Sequence, residues 1–311
     1  MTEWLYEGGI GEARAALVED GRIVEALIEP DDIGLRVGTI ACARLIDRST
    51  GRVSLEGGEA ILAKLPPGIT EGAALTVEIV REAIPEPGRA KPARALATDA
   101  PPAPAPDLLA RITATGVPVR RLRAHEPDAL EAAGWSELLD EAQTGEIVFP
   151  RGALRMTPTP AMTLFDVDGA APLDTLALAA AQAVAQAIRR HGIGGSIGID
   201  FPTLPGKAPR QAVAEAIDTH LHGAFERTTM NGFGFLQIVR PRPRASIPER
   251  LRADPVGAAA RAALRSLERT PPGAPRQHRL PAAVLARITS RADWLAELAR
   301  RTGVLHELTG L

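Results

Sequence analysis

LFDVDGAAPLDTLALAAAQAVAQAIRRHGIGGSIGIDFPTL, residues 164–204, decides how this chain is read. Two short apolar runs, each leading to an aspartate (Asp166 and Asp200), flank an alanine-rich segment with apolar residues at three- and four-residue spacing. The pattern predicts a buried strand, a helix over 173–191 and a second buried strand. Gly192 stops the helix just after Arg189 and Arg190, which suit a helix C-terminus. Strand, helix and strand in this order point to a layered α/β domain. A carboxylate at the exit of a buried strand is rigidly aimed and only partly hydrated. Two of them brought together make a hard-oxygen site of the kind Mg²⁺ or Mn²⁺ occupies. The alternative for each aspartate is a turn or helix cap, a common post for this residue.

Upstream, EIVFPRGALRMTPTPAMTLFDVDG (146–169) reads as strand, turn, strand and a strand ending at Asp166. Downstream, a proline-broken loop runs to Gly206, a helix is expected near 209–227, and FGFLQIVRP (233–241) reads as a strand. After Pro243 the chain turns helical and polar, with a PPGAP break at 271–275 and a final helix near 281–302. That helix carries an apolar stripe through Val284, Ile288, Leu295 and Leu298, which suits packing within the chain or on a partner. At the other end, RAALVEDGRIVEALIE (14–29) predicts a hairpin turning at Asp20-Gly21. Short strands punctuated by Gly and Pro from Val37 to Ile84 suggest a small, OB-type barrel. The Ala/Pro-rich stretch 93–106 has the composition of a semi-rigid connector, and 107–148 mixes short helix and strand patterns.

With 311 residues, the chain is long enough for two or three small domains. It has no apolar stretch of bilayer length, and MTEWLYEGGIGEAR lacks both the basic start and the apolar core of a signal peptide, so a cytoplasmic protein without membrane contact is expected. A single cysteine, Cys42, excludes an internal disulfide and a cysteine-based zinc site; its place in TIACARLI suggests a buried thiol. The net charge of −2 hides an asymmetry: from Gly192 to the end there are 17 Lys+Arg against 10 Asp+Glu, leaving 19 against 28 before it. A basic C-terminal part can attract a polyanion such as RNA, or form a solvated arginine-rich face.

Several motifs are ruled out. GIGGSIGID follows a helix and precedes a strand, the reverse of a dinucleotide fingerprint, so its glycines close one element and open the next. Neither a P-loop nor a G-x-S-x-G elbow occurs. His220 and His222, two apart, do not share a helix face and make a poor metal pair.

The segments from Glu146 to Ile247 resemble the catalytic core of the ribonuclease E/G family. In that family one strand ends in Asp-Val-Asn-Ser-Gly and another reads Gly-Gly-x-Ile-x-Ile-Asp-Phe. The matching positions here are Asp166-Val167-Asp168-Gly169 and Gly194 to Phe201. The family's Ser-Arg-Phe-Gly-Leu-Leu-Glu-Met strand corresponds to Asn231 to Ile238, and its opening strands resemble the hairpin near 14–29. The resemblance implies an α/β (α+β) multidomain chain with RNase H-like segments at 1–34 and 107–148, a shortened OB-type barrel at 35–92, a linker at 93–106, a DNase I-like catalytic domain at 149–250 and a helical segment at 251–311. It implies Mg²⁺ (or Mn²⁺), and no zinc, between Asp166 and Asp200, with Asp168 beside them in the position of the family's water-orienting asparagine. It implies an endoribonuclease that hydrolyses single-stranded RNA to 5′-phosphate and 3′-hydroxyl ends in RNA processing or decay, with Lys207, Arg210, Arg240, Arg242 and Arg244 as candidate RNA contacts. Homo-oligomers stay open, but a zinc-tethered dimer does not, because the Cys-Pro-x-Cys link is absent.

The chain departs from the family elsewhere too. No Phe, Tyr or Trp occurs from residue 7 to 134, so the barrel lacks aromatic platforms for bases. The family's Arg-Thr-rich pocket for a 5′-monophosphate has no counterpart. Gly232 stands in place of an arginine and Gln237 in place of a glutamate. The aromatic-free barrel and the near-neutral overall charge favour the alternative of an RNA-binding scaffold that has lost turnover.

Overall fold

The computed structural model describes residues 2–86, 88, 90–271 and 273–311. The chain opens with β1 (Thr2–Gly8), β2 (Glu12–Glu19) and β3 (Arg22–Pro30), then β4 (Ile40–Asp47), β5 (Arg52–Leu55), β6 (Gly58–Leu62), β7 (Ala74–Arg81) and β8 (Ala93–Ala97). Next come α1 (Leu108–Thr113), β9 (Val119–Arg121), α2 (Ala129–Ala132) and α3 (Trp135–Thr144). They are followed by β10 (Glu146–Phe149), β11 (Gly152–Pro158), β12 (Thr163–Gly169), α4 (Leu173–Arg190), β13 (Gly195–Asp200), α5 (Lys207–His220), β14 (Glu226–Arg227) and β15 (Phe235–Arg240). The end is α6 (Ile247–Ala253), α7 (Pro255–Glu268), β16 (Gln277–Leu280), α8 (Ala282–Thr289), α9 (Ala292–Thr302) and β17 (Glu307–Gly310). This is a mixed α/β protein with several sheets, one of them a closed five-stranded barrel. Two units divide it: 1–33 with 108–135 and 250–311, and 34–107 with 136–249. No helix among the described residues is long and apolar enough to cross a membrane.

In the first unit, β3-β2-β1-β9 form one sheet. Asp20 and Gly21 both take positive φ, the turn that a two-residue hairpin needs. Trp4, Ala15 and Leu17 pack with Leu108 and Ile112 of α1, while Ile10 joins a second cluster with Leu264, Val284, Ile288, Trp294 and Leu298. The stripe expected on one long helix therefore packs within this unit, but on two helices, α8 and α9, broken at Ser290 and Arg291. Buried charges lie among them: Arg14 pairs with Glu7 and with Asp128 (2.7 Å), and Arg265 pairs with Glu12.

In the second unit the barrel closes in the order β4-β5-β6-β8-β7 around aliphatic residues such as Leu45, Val53, Leu62, Val77 and Ile79. Two expectations are corrected here. The stretch 93–106 does not begin as a connector: Ala93–Ala97 is the barrel strand β8, with Ala93 and Ala95 buried, because small alternating side chains still fill a narrow interior. Cys42 is exposed, since Ala43 and Leu45 take the inward positions of β4.

The six-stranded sheet of this unit runs β10-β11-β12-β13-β15-β14. β12 and β13 pair in parallel through the crossover helix α4, and the other pairs are antiparallel. One face holds Leu154, Met156, Phe165, Ile197, Ile199 and Leu236 against α4 and α5. Burying side chains of this size stabilises the fold by about 1.5–3 kcal/mol each. The helix ends in a Schellman arrangement: Gly192 takes φ 65° and Ile193 N–H donates to Ile188 C=O at 2.9 Å. Helix α5 starts and stops earlier than the sequence pattern suggested, at Lys207 and His220.

Candidate active site

Strand alternation places the core residues Phe165, Ile197 and Ile199 on one side of the sheet and Asp166, Asp168 and Asp200 on the other. The register of β12 and β13 ends with Asp166 opposite Asp200. Adjacent strands lie about 4.8 Å apart, so the two residues stand side by side on this face. Strand β12 runs past Asp166 to Gly169, paired with β11, so Asp166 sits within a strand rather than at its end. That rigid position comes from the extra length of β11, which continues to hold β12 after β13 has stopped.

The row extends across five strands, beginning with Glu146 of β10 opposite Arg155. Arg155 of β11 is opposite Asp166, and Phe235 of β15 is opposite Asp200. Asp168 lies one step further along the same face, opposite Ala153 and beyond the last residue of β13. In the row behind, Gly198 is opposite Leu164 and Gln237. A Cβ there would stand 2.7 Å from the Phe235 ring, 2.8 Å from Leu164 and 3.0 Å from the Met162 sulfur, so the missing side chain lets an apolar floor close in behind the carboxylates.

Asp166, Asp168 and Asp200 are exposed, and none forms an ion pair or hydrogen bond with a described residue. The turn-cap alternative therefore has no bond to rest on among the described residues. Two like charges face each other across a ladder, an arrangement that is unfavourable on its own. Among the described residues no group of three or more His, Cys, Asp and Glu is placed to hold a metal. The donor set is thus two carboxylates and nothing softer. It fits Mg²⁺, which keeps most of its water and takes one or two carboxylates plus substrate phosphate.

The cationic candidates separate by position. After β13 the chain passes through buried Phe201 and Leu204, and Gly206 precedes α5 without a side-chain cap bond. Lys207 and Arg210 are in the first turn of α5, at the Asp200 end of the sheet, and line a cavity of about 420 Å³ with Gln211, Ala214, Glu215, Arg227, Thr229 and Met230, three cations against one carboxylate. Arg227 is held charged, its pKa raised first by hydrogen bonds to Asp218. Arg240 lies at the far end of β15, opposite Gly195, about 17 Å from the Asp200 row. Arg242 pairs with Glu249, and Arg244 pairs with Glu82 at 3.1 Å. Asp166 and Asp200 thus share one row of the sheet, Lys207 and Arg210 follow on the helix after β13, and Arg240, Arg242 and Arg244 lie elsewhere.

Arg155 and Phe235 were not singled out in the sequence. Alternation in GALRMTP shows that Arg155 leaves the core, but only the hairpin register sets it beside Asp166. The chain matches no protein-family model, and a search of curated proteins found no match.

Proposed function

We propose that this protein is a metal-dependent endoribonuclease acting on single-stranded RNA, with a DNase I-like catalytic sheet, an OB-type barrel and RNase H-like N-terminal segments. The observation that carries the reading is the register pairing of Asp166 with Asp200, exposed and without an ion pair to a described residue. The chain order adds support: the barrel segment interrupts the first unit between β3 and α1, as the resemblance to ribonuclease E/G leads one to expect.

Asp166 and Asp200 would hold Mg²⁺ or Mn²⁺, which would supply positive charge to the scissile phosphodiester and lower the pKa of water so that it can lose a proton near neutral pH. Arg155 donates from its guanidinium to a non-bridging phosphate oxygen and offsets the charge gathered there. Asp168 accepts a hydrogen bond from the attacking water and turns its lone pair toward phosphorus. The water oxygen bonds to phosphorus as the bond to the 3′ oxygen breaks; the water gives up a proton to solvent and the departing oxygen takes one from solvent, leaving a 5′-phosphate and a 3′-hydroxyl.

The test is cleavage of an unstructured RNA in Mg²⁺ by the wild type, Asp166→Asn and Asp200→Asn. Each substitution is expected to lower the rate at least 100-fold, and equal rates for all three refute the proposal. The second reading, binding without turnover, draws on the aromatic-free barrel. It is upheld if the wild type binds the RNA in a salt-dependent way and leaves it intact.

A further inference from the structure

Among the described residues, which include all six Phe, three Trp and one Tyr, Phe233 is the only exposed aromatic, at 84%. A free aromatic ring on a loose loop would carry no message, but this one is mounted on a braced turn. Asn231 Oδ1 accepts from the backbone N–H of Phe233 (2.9 Å) and of Phe235 (3.0 Å). Thr203 Oγ1 donates to Phe233 C=O at 3.2 Å, and Gly234 N–H donates to Asn231 C=O at 3.3 Å. Gly234 takes φ 102°, which holds the turn in a shape open to glycine. The residue after it, Phe235, is the cross-strand partner of Asp200. The braced turn that carries the ring therefore leads straight into the strand residue paired with Asp200, which lowers the entropic cost to a ligand that covers it.

The other flank of the turn meets the cationic cavity. A Cβ on Gly232 would lie 4.0 Å from the Arg210 guanidinium, and Met230 lines the cavity itself. Lys207 has no ion pair or hydrogen bond with a described residue, so its charge is available. An exposed π face and a basic hollow on adjoining residues match the two halves of one nucleotide, a base and a phosphate.

We propose that Phe233 and the Lys207–Arg210 cavity form a nucleotide subsite beside the Asp166–Asp200 pair, with the base of a single-stranded chain stacked on Phe233 and a backbone phosphate in the cavity. The choice of RNA as the polymer rests on the nuclease reading. The subsite supplies the stacking that the barrel cannot.

The test measures binding in EDTA, where cleavage plays no part, to an unstructured RNA 12-mer and to an abasic 12-mer of the same length. Phe233→Ala is expected to weaken binding of the normal RNA roughly tenfold to a hundredfold and to leave the abasic strand unchanged. The joint Lys207→Ala and Arg210→Ala variant is expected to weaken both strands and to flatten the salt dependence by about 1.4 in log–log slope. Phe233→Trp should keep affinity and show fluorescence quenching on RNA alone, the native Trp4, Trp135 and Trp294 being buried. Binding indifferent to Phe233, or lost equally for both strands, overturns the subsite. A wild type that cuts RNA with Phe233-independent binding refutes the subsite and spares the nuclease. One that binds through Phe233 and never cuts does the reverse.

Discussion

Asp166 and Asp200 are the last register pair between β12 and β13, two carboxylates side by side on the open face of the sheet. The buried carboxylates of the first unit are treated differently, for Glu7 and Glu12 are each clasped by two arginines. A like-charged cross-strand pair costs a fraction of a kcal/mol up to about 1 kcal/mol. A cation between the two relieves that cost.

It follows that Asp200→Asn leaves the metal-free protein equally stable or more stable, by up to about 1 kcal/mol. The same change abolishes any rise of melting temperature on adding Mn²⁺ to the wild type. Melting curves in EDTA and in Mn²⁺ read both effects. A variant less stable than the wild type in EDTA would show that the carboxylate has a structural role instead.

How much of this was legible beforehand depended on whether the signal was local. The hairpin at Asp20-Gly21, helix α4 with its stop at Gly192, and strand β13 were all readable, since turn chemistry and periodicity act over a few residues. The strand β8 was hidden by its composition: ARALA followed by a proline run looks like a connector, yet it is a ladder partner of β6 and β7. The break at Ser290 and Arg291 was invisible in an unbroken apolar stripe. Arg155 and Phe235 came to the site through register, a property of strand pairs that no single segment carries.

Cys42 illustrates the same point and gives a direct test. Its apolar neighbours suggested burial, but alternation along β4 turns it outward. One equivalent of a thiol reagent such as Ellman's reagent should react with the native protein at the rate it shows in denaturant. Protection of the native thiol would contradict the outward placement.

Arg14, 2% exposed, ties together the first unit. It pairs with Glu7 and Asp128, and its guanidinium lies 5.0 Å from the ring of Trp135. Asp128 in turn caps α2 by accepting from Leu130 and Glu131 N–H, both at 3.1 Å. Burial pushes the Asp128 pKa up, but Arg14, the Glu131 N–H and Arg269 together hold it below the usual carboxylate value. Arg14→Met is expected to destabilise the protein by about 3–5 kcal/mol at pH 7, because it strands buried carboxylates. Since a depressed carboxyl pKa stabilises only above its unfolded value, the penalty shrinks as pH falls below about 4. All three tryptophans are in this unit, so denaturant melts followed by tryptophan fluorescence report on it. A cost below 1 kcal/mol would deny the cluster its structural role.

His191 makes the second unit sensitive to acid. It is wholly buried just past α4, with Nε2 3.1 Å from Glu141 Oε2, and Nδ1 meets no partner among the described residues. Burial lowers its pKa from the ordinary value near 6.5; Glu141 opposes this, and Arg190 reinforces it. Below pH 6.5 the unfolded chain therefore binds more protons at this residue than the folded one. Its contribution is complete above pH 6.5 and is lost as pH falls toward the folded pKa, at up to about 1.4 kcal/mol per pH unit. His306, also lowered by burial and then by His278 and Arg276, adds a slope of the same sign in the other unit. Tryptophan fluorescence is blind to His191, so hydrogen exchange of the α4 amides between pH 7.5 and 5.5 is the measurement. His191→Gln, which keeps a donor toward Glu141 and cannot take up a proton, should flatten the pH dependence in α4 and leave that of the first unit unchanged. An α4 slope unaltered by the substitution would assign the acid sensitivity to another group.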